Sequence, residues 1–411
     1  MALRRDIANA PTWAMFVAPH VGGIFSFYRG LRRALRDRVR SVELDGDERR
    51  WREYDPTLAG PEHTILLLDG CDAQAAGRRV AQWLDEAGIQ VVLVTAMTPA
   101  IVHDAIPHLP RNIRVIARLT EISQHSYQSA LRHAQALDGV IVQCTRQAKD
   151  IAAIAPDLPQ HRLSNAVDTD RFNPDAQGIA PEAPLRLLFL DRLVDLQKRV
   201  FLLPEICRAL DATDIAYTLT VAGDGPDAAQ LRQRLARWIT DGRVTMPGAI
   251  AGADVPDVMR AHDIYLKLSR NEGSPNAVLE ALASGLVTIA FDIPGVIDDV
   301  LSDGRSGYIV PSGDTRAVVD RIARLDADRG RLRTMAQQAR TAAVESHSID
   351  RFAERVAQIE AALPELSRRE PKPWSDWTSS EPKPSSLRRH LRRALPLGWR
   401  IRAREWLGRL R

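Results

Sequence analysis

Short apolar runs recur along the chain, and most are followed by a stretch in which apolar residues return every third or fourth position. In the first half the runs fall at residues 12–18, 64–68, 90–94, 113–117, 139–143 and 161–164, with helical spacing over 27–40, 73–87 and 101–109. The second half repeats the rhythm with runs at 185–190, 217–222, 243–246, 264–268, 287–290 and 308–310, and helical segments between them. Runs bounded in this way read as buried strands, and their alternation with helices predicts a doubly wound, mostly parallel sheet in each half. Residues 171–184 interrupt the rhythm with three prolines and a glycine, which marks a domain boundary. The pattern therefore predicts an α/β protein with one domain over 1–175 and another over 185–348. Facing sheets of this kind leave an interdomain cleft at the carboxyl ends of their strands, where ligands of open parallel sheets bind. A helix over 349–363 follows, then a loose linker rich in Pro, Ser, Lys and Trp over 368–386.

Composition narrows this picture. With 411 residues, 45% hydrophobic and 26% charged, the chain has the make-up of two soluble domains of ordinary size. No apolar run approaches the length of a bilayer span and Met-Ala-Leu-Arg-Arg-Asp lacks a signal-peptide core, so a cytoplasmic location is expected. Cys71, Cys144 and Cys207 are few, scattered and odd in number; they predict neither disulfides nor a zinc site and read as small buried hydrophobes. Net charge is +4, yet residues 383–411 hold ten Lys or Arg against Glu405 alone. This tail carries +9, so by difference the rest of the chain carries −5. Leu387, Leu391 and Leu395, then Trp399, Ala403, Trp406, Leu407 and Leu410, form apolar stripes opposed by arginines. The tail therefore reads as a basic amphipathic segment that lies on an anionic membrane surface or docks on the first domain. Nucleic acid is not expected, because no reading motif or aromatic-basic groove accompanies it.

Candidate chemistry centres on residues 269–285. The run 263–269 reads as a strand, Ser274-Pro275 as a serine cap with proline in the first helical turn, and Gly285 as the helix stop. A helix N-terminus so placed presents free N–H groups and positive dipole potential to an anion such as a diphosphate. Glu272 lies in the loop and Glu280 inside the helix among apolar neighbours, where an ionised carboxylate needs partners such as the two hydroxyls of a ribose. The alternative is that Glu272 only complements the dipole and Glu280 lies on a wet face. Gly22-Gly23, between the first strand and helix, either bring backbone close to a ligand or form a packing turn. That helix carries Arg29, Arg32, Arg33, Arg36, Arg38 and Arg40, a solvated face or a surface for anionic lipid.

Glu272-Gly-Ser-Pro-Asn-Ala-Val-Leu-Glu280, continuing Ala-Leu-Ala-Ser-Gly285, with Asp303-Gly-Arg-Ser-Gly-Tyr-Ile-Val310, resembles the signature of the family 4 glycosyltransferases of the GT-B fold. Asn165 to Phe172, Asp191-Arg-Leu with Lys198, and Val221-Ala-Gly-Asp-Gly-Pro226 follow that family's order, so the resemblance covers about 160–345. It implies two facing Rossmann-like domains, an acceptor domain first and a nucleotide-sugar domain second, with a late helix over 349–367 crossing back. It also implies transfer of a sugar from a nucleotide diphosphate-sugar to a saccharide or lipid-linked saccharide, with retention and no metal or other cofactor. Arg192 and Lys198 would hold the diphosphate and its growing charge, and Glu272 the donor sugar. Gly22, Gly23, Gly273, Ser274, Asn276, Ala277 and Glu280 would line the donor site, with Gly223, Gly225, Met246 and Gly248 around the nucleobase. Asp168-Thr169-Asp170 falls in the family's interdomain motif and is not read as a metal site. A histidine often found after the strand at 113–119 is replaced by Thr120-Glu121, which leaves Thr120, His125 or His20 as the first-domain group assisting chemistry. Paired glycines later in the family's pattern become Ile293-Pro294-Gly295, with Asp298 or Asp299 in place of a glutamate. A GT-B epimerase or phosphorylase, or a catalytically inactive membrane-associated subunit, remains the alternative.

Overall fold

A computed structural model of the protein describes residues 10–20, 22–45, 54–68, 71–173 and 183–379. Its first sheet contains β1 (Trp13–Phe16), β2 (Val39–Leu44), β3 (Thr64–Leu66), β4 (Val91–Thr95), β5 (Arg114–Arg118), β6 (Gly139–Val142) and β7 (Gln160–Arg162). The second contains β8 (Leu185–Leu190), β9 (Tyr217–Ala222), β10 (Val244–Gly248), β11 (Ile264–Lys267), β12 (Val287–Phe291) and β13 (Gly307–Val310). Their orders are β3-β2-β1-β4-β5-β6-β7 and β10-β9-β8-β11-β12-β13, with parallel pairing throughout. Helices cover both faces, so inner strands such as Val91-Val-Leu-Val-Thr95 are buried along their whole length. Strand order reverses between β1 and β4 and between β8 and β11. The loops leaving β1, β8 and β11 therefore open into the crevices of the two sheets.

Strand β2 was not expected. The helix predicted to reach residue 40 spans Gly23–Leu35 and ends where Arg36 takes φ 55°, after which Val39 pairs with Trp13. Ser41 and Glu43 are buried in β2, and these polar residues break the apolar run that marks the other strands. Nor is the arginine-rich segment an open basic face: Arg32 pairs with Glu62 at 2.8 Å, Arg33 with Asp168, and Arg38 with Glu360 at 2.7 Å.

The chain returns to the first domain through helix Ile349–Ala362, which lies on helix Gly23–Leu35 with the Phe27 and Phe352 rings edge to face at 5.5 Å. Phe352 packs at Gly30, and Trp13 Nε1 donates to Glu360 at 2.9 Å. Beyond it, the stretch expected to be a loose linker is docked on the first domain as far as residue 379. Ser367 is fully buried and donates to Asp138 at 3.0 Å, while the Arg369 guanidinium donates to the carbonyls of Leu109, Pro110 and Ile113. Trp374 stacks on His108 at 4.8 Å, and Trp377 fills the space above Gly77. Two indoles bury too much apolar surface to be left in a solvated linker. The rest of the linker and the basic tail lie outside the described residues. Cys144 and Cys207 are buried as expected, whereas Cys71 is exposed. No helix among the described residues is long and apolar enough to cross a membrane.

Candidate functional site

Strand β11 is buried at every position, yet it ends in Lys267, whose side chain is only 3% exposed. A charge in that position requires partners. They arrive from the loops that leave β8 and β11: Lys267 Nζ lies 2.6 Å from Asp191 Oδ2 and 2.8 Å from Glu272 Oε1. Lys198 Nζ completes a ring of alternating charge, 2.8 Å from Asp191 Oδ1 and 2.6 Å from Glu272 Oε1. Burial alone would push the Glu272 carboxyl up, but the ammonium groups of Lys267 and Lys198 reverse this and hold it at about 2. Burial likewise opposes the Lys267 ammonium, and Asp191 and Glu272 keep it well above the usual lysine value. Glu272 is thus a fixed anion that can accept hydrogen bonds but cannot give up a proton. Both lysines approach Oε1 of this carboxylate. Lys198, expected as an open phosphate ligand, is instead committed to Glu272 and Asp191. Sequence reasoning missed Lys267 and Asp191 as site groups, although a lysine closing a buried apolar strand was the available signal.

The helix after this loop spans Asn276–Ala283 and is closed by Gly285 at φ 74°. Its start lies one residue later than predicted: Pro275 is the cap residue, and Ser274 does not cap. Ser274 Oγ instead accepts from the Asn165 amide of the first domain at 3.3 Å, and Asn165 Nδ2 donates to Asn276 Oδ1. Ala277 sits in the first turn, where amides lack intrahelical acceptors. The first domain closes on this N-terminus at two glycines. A Cβ on Gly23 would stand 3.5 Å from Asn276 Nδ2, so the Gly22-Gly23 turn faces the helix directly. A Cβ on Gly273 would collide with the Thr120 carbonyl. Glu280 is half-buried one turn further in. Burial pushes its carboxyl up to about 7, against the pull of Arg171 and Lys267 and a weaker one from Arg29. It therefore waits at the cleft only partly ionised near neutral pH.

The remaining predicted residues arrange themselves around this centre. Arg192 is exposed at the end of β8, beside Asp191. Gly223 and Gly225 let the loop after β9 cross the loop after β8; a Cβ on either would collide with the carbonyls of Asp191 and Leu193. The Gly223 amide donates to Gly248, and Met246 is half-buried with its carbonyl held by Arg232. Of the candidate first-domain assistants, Thr120 meets Gly273 and its hydroxyl bonds Ser126 at 3.1 Å. His20 lies against the Gly22 turn, its Nδ1–H donating to the Ala18 carbonyl at 2.9 Å, and His125 is exposed on helix Gln124–Ala130. Asp168 is taken up by Arg33 and the Arg171 amide. One further residue was missed. Arg118, at the end of β5, is fully buried with its guanidinium 3.9 Å from the Phe27 ring centre, and burial lowers it to about 9. It donates to Gln143 at 2.7 Å and Asn165 at 2.8 Å, and so orients the amide that grips Asn276.

Comparison with known proteins agrees with this geometry. Residues 184–328 match the family described as Glycosyl transferases group 1. The colanic acid biosynthesis glycosyltransferase WcaL of Escherichia coli is 31% identical over 171 residues, 39% of this chain and 41% of that protein. Its counterpart in Salmonella typhimurium is 25% identical over 294 residues, 68% of this chain and 70% of that protein. The chain thus covers less than half of the first relative and about two thirds of the second. Among solved structures, Anabaena Alr3699/HepE in complex with UDP-glucose superposes with a TM-score of 0.68 at 17% identity, covering 86% of this chain and 100% of that one. Residues 184–328 thus match the group 1 glycosyl transferases, and the two parallel sheets share the fold of HepE, the GT-B fold.

Proposed function

We propose that the protein transfers a sugar from a nucleoside diphosphate sugar to a saccharide acceptor, with retention of anomeric configuration. The observation that carries this reading is the convergence of the Glu272 anion, the N-terminus of helix Asn276–Ala283, the half-buried Glu280 and the Gly22-Gly23 turn at one closed cleft. HepE, which shares the fold, binds UDP-glucose, and this supports a donor of the same chemical class. In this reading the ribose hydroxyls donate to Glu280 and the diphosphate meets the Ala277 amide and the exposed guanidinium of Arg192. The Glu272 carboxylate takes a donor sugar hydroxyl. As the bond from the anomeric carbon to diphosphate oxygen breaks, the acceptor oxygen bonds to that carbon on the same face and passes its proton to the departing phosphate. The helix terminus and Arg192 stabilise the charge left there. Because Glu272 stays ionised, it orients and stabilises and does not serve as an acid. Residue charge supplies what this chemistry requires, and the reading includes no metal.

The WcaL relatives are named for colanic acid biosynthesis, and a lipid-linked saccharide is the acceptor we infer here. With it goes a location in the cytoplasm at the inner face of the membrane, supported by the charge and apolar stripes of residues 383–411. The test of the donor site is thermal stabilisation across UDP-, GDP-, ADP- and dTDP-sugars, with Glu280→Ala as control. One nucleotide series should raise the midpoint of the wild type and leave the variant unmoved. If no series stabilises the wild type, the donor reading fails.

A further inference from the structure

A polar cavity of about 220 Å³ lies beside the interdomain hinge, apart from the donor helix, between the ends of β6 and β7 and the junction of helices Arg329–His347 and Ile349–Ala362. Both domains line it: Arg162 and Ser164 come from the first, Ser302 from the second, and Ser346, His347 and Arg355 from the junction. At about 30 Å³ per water it has room for roughly seven waters, enough for a phosphate group with a small carbon substituent.

Its wall holds two guanidiniums and two carboxylates, and among the described residues only Arg162 and Asp299 are paired with each other. Asp299 is fully engaged, accepting from the Thr145 amide at 2.5 Å, the Thr145 hydroxyl at 2.7 Å and the Arg162 guanidinium at 2.8 Å. Asp298 adds a carboxylate only at the exposed mouth. Arg355 makes no hydrogen bond or ion pair with a carboxylate among the described residues; burial opposes its charge, and so do the Arg162 and Arg351 guanidiniums nearby. His347 is 92% buried, and its Nδ1 has no hydrogen-bond partner among the described residues. Burial and the two guanidiniums of Arg355 and Arg162 push its imidazole down to about 4, so it is neutral and can present Nδ1–H. With Arg162 already held by Asp299 and the Thr145 hydroxyl, the Arg355 guanidinium, an orphan imidazole nitrogen and several hydroxyls thus converge on the cavity.

We propose that this cavity is a binding site for a phosphate-bearing small molecule, held by Arg355, Arg162, His347 Nδ1–H and the hydroxyls of Ser164 and Ser302. The inference does not rest on the glycosyl-transfer reading. Gln143, at the cavity wall, accepts from Arg118, which donates to Asn165, whose amide grips Asn276. An occupant would therefore sit at one end of a hydrogen-bond chain that ends on the donor helix, while touching both domains.

Isothermal titration of the full chain with inorganic phosphate and with glycerol 3-phosphate, at constant ionic strength against a chloride control, tests this. Saturable one-site binding is expected. Arg355→Gln should weaken it by about tenfold or more, as loss of a charged hydrogen bond does. Ser346→Asp, which puts a carboxylate into the cavity from an exposed position, should abolish it while thermal stability without ligand is kept. Equal affinity for the two probes would assign the occupant as free phosphate, and tighter binding of the ester as a metabolite. Absence of saturable binding, or binding unaltered in both variants, would overturn the proposal.

Discussion

Replacing Glu280 by Gln should move stability and ligand binding in opposite directions, and the size of each effect follows from the site. Burial raises the Glu280 carboxyl from its ordinary 4.5 to about 7. A group whose folded pKa is raised contributes stability that is complete below the unfolded value and is lost as pH rises through the folded one. The wild type therefore loses up to about 3 kcal/mol between pH 4.5 and pH 7, at 1.36 kcal/mol per pKa unit, and nothing further above that. Gln carries no charge at any pH and escapes this loss. Scanning calorimetry should find the two proteins alike near pH 4 and the variant more stable at pH 8, by roughly 5–10 °C for a domain of this size. Nucleotide affinity should change the other way. An ionised carboxylate accepts two ribose hydroxyls, and losing hydrogen bonds to a charged group costs about 1.5–3 kcal/mol, or roughly 10- to 100-fold in binding at pH 8. A residue serving packing alone would weaken both properties together. A pH-independent difference in midpoint, or a variant less stable than wild type at pH 8, would refute the reasoning.

Three further outcomes are expected. Lys267→Met leaves Asp191 and Glu272 sharing Lys198, which should cost about 3–5 kcal/mol in denaturant unfolding; adding Glu272→Gln should recover most of that, because Lys198 and Asp191 then remain as a neutral pair. Gly273→Ala drives a Cβ into the Thr120 carbonyl, while Gly23→Ala makes only van der Waals contact with Asn276; the first should lower kcat/KM by about 100-fold and the second little, since misplacement of about 1 Å has that effect, and small-angle scattering should show only the first held open. Deleting residues 380–411 should abolish sedimentation with phosphatidylglycerol vesicles and leave donor-induced stabilisation intact; retained sedimentation would rule out the tail as the membrane contact.

How far the architecture could be read from the chain depended on which residues fill each strand. Val91-Val-Leu-Val and Leu185-Arg-Leu-Leu-Phe-Leu announce themselves because burial on both faces selects apolar residues at nearly every position. Strand β2 was hidden because Ser41 and Glu43 occupy buried positions that only the fold explains: Ser41 meets His63 at 2.9 Å, and His63 meets Glu43 at 3.3 Å, from more than a dozen residues away. The docked segment after residue 363 was hidden for the same reason. Its prolines and lysine suggest solvation, but Asp138, buried in a loop of the first domain, needs the Ser367 hydroxyl and the Arg368 amide to satisfy it.

The candidate site divides along the same line. Glycines, the helix start and the two glutamates stand in a contiguous segment, so their spacing could be read. The charge state of each glutamate could not, because it is set by groups distant in sequence. Glu272 is held ionised by Lys198, 74 positions earlier, and by Lys267 on the strand before it. Glu280 is left half-neutral because burial outweighs the pull of Arg171 and Lys267, and it forms no ion pair among the described residues. Two carboxylates eight positions apart on one loop and helix are thus pushed in opposite directions, Glu272 below and Glu280 above the usual carboxylate value. That difference assigns them separate work: one is a permanent anion, and the other is an acceptor whose ionisation is completed by whatever donates to it. A polar residue inside an apolar run, such as Lys267, Glu43 or Arg118, is therefore the most informative kind of position in this chain. Each costs stability where it stands unless a distant partner compensates it, and Lys267 and Arg118 mark the places where separate loops or domains are drawn together at the cleft.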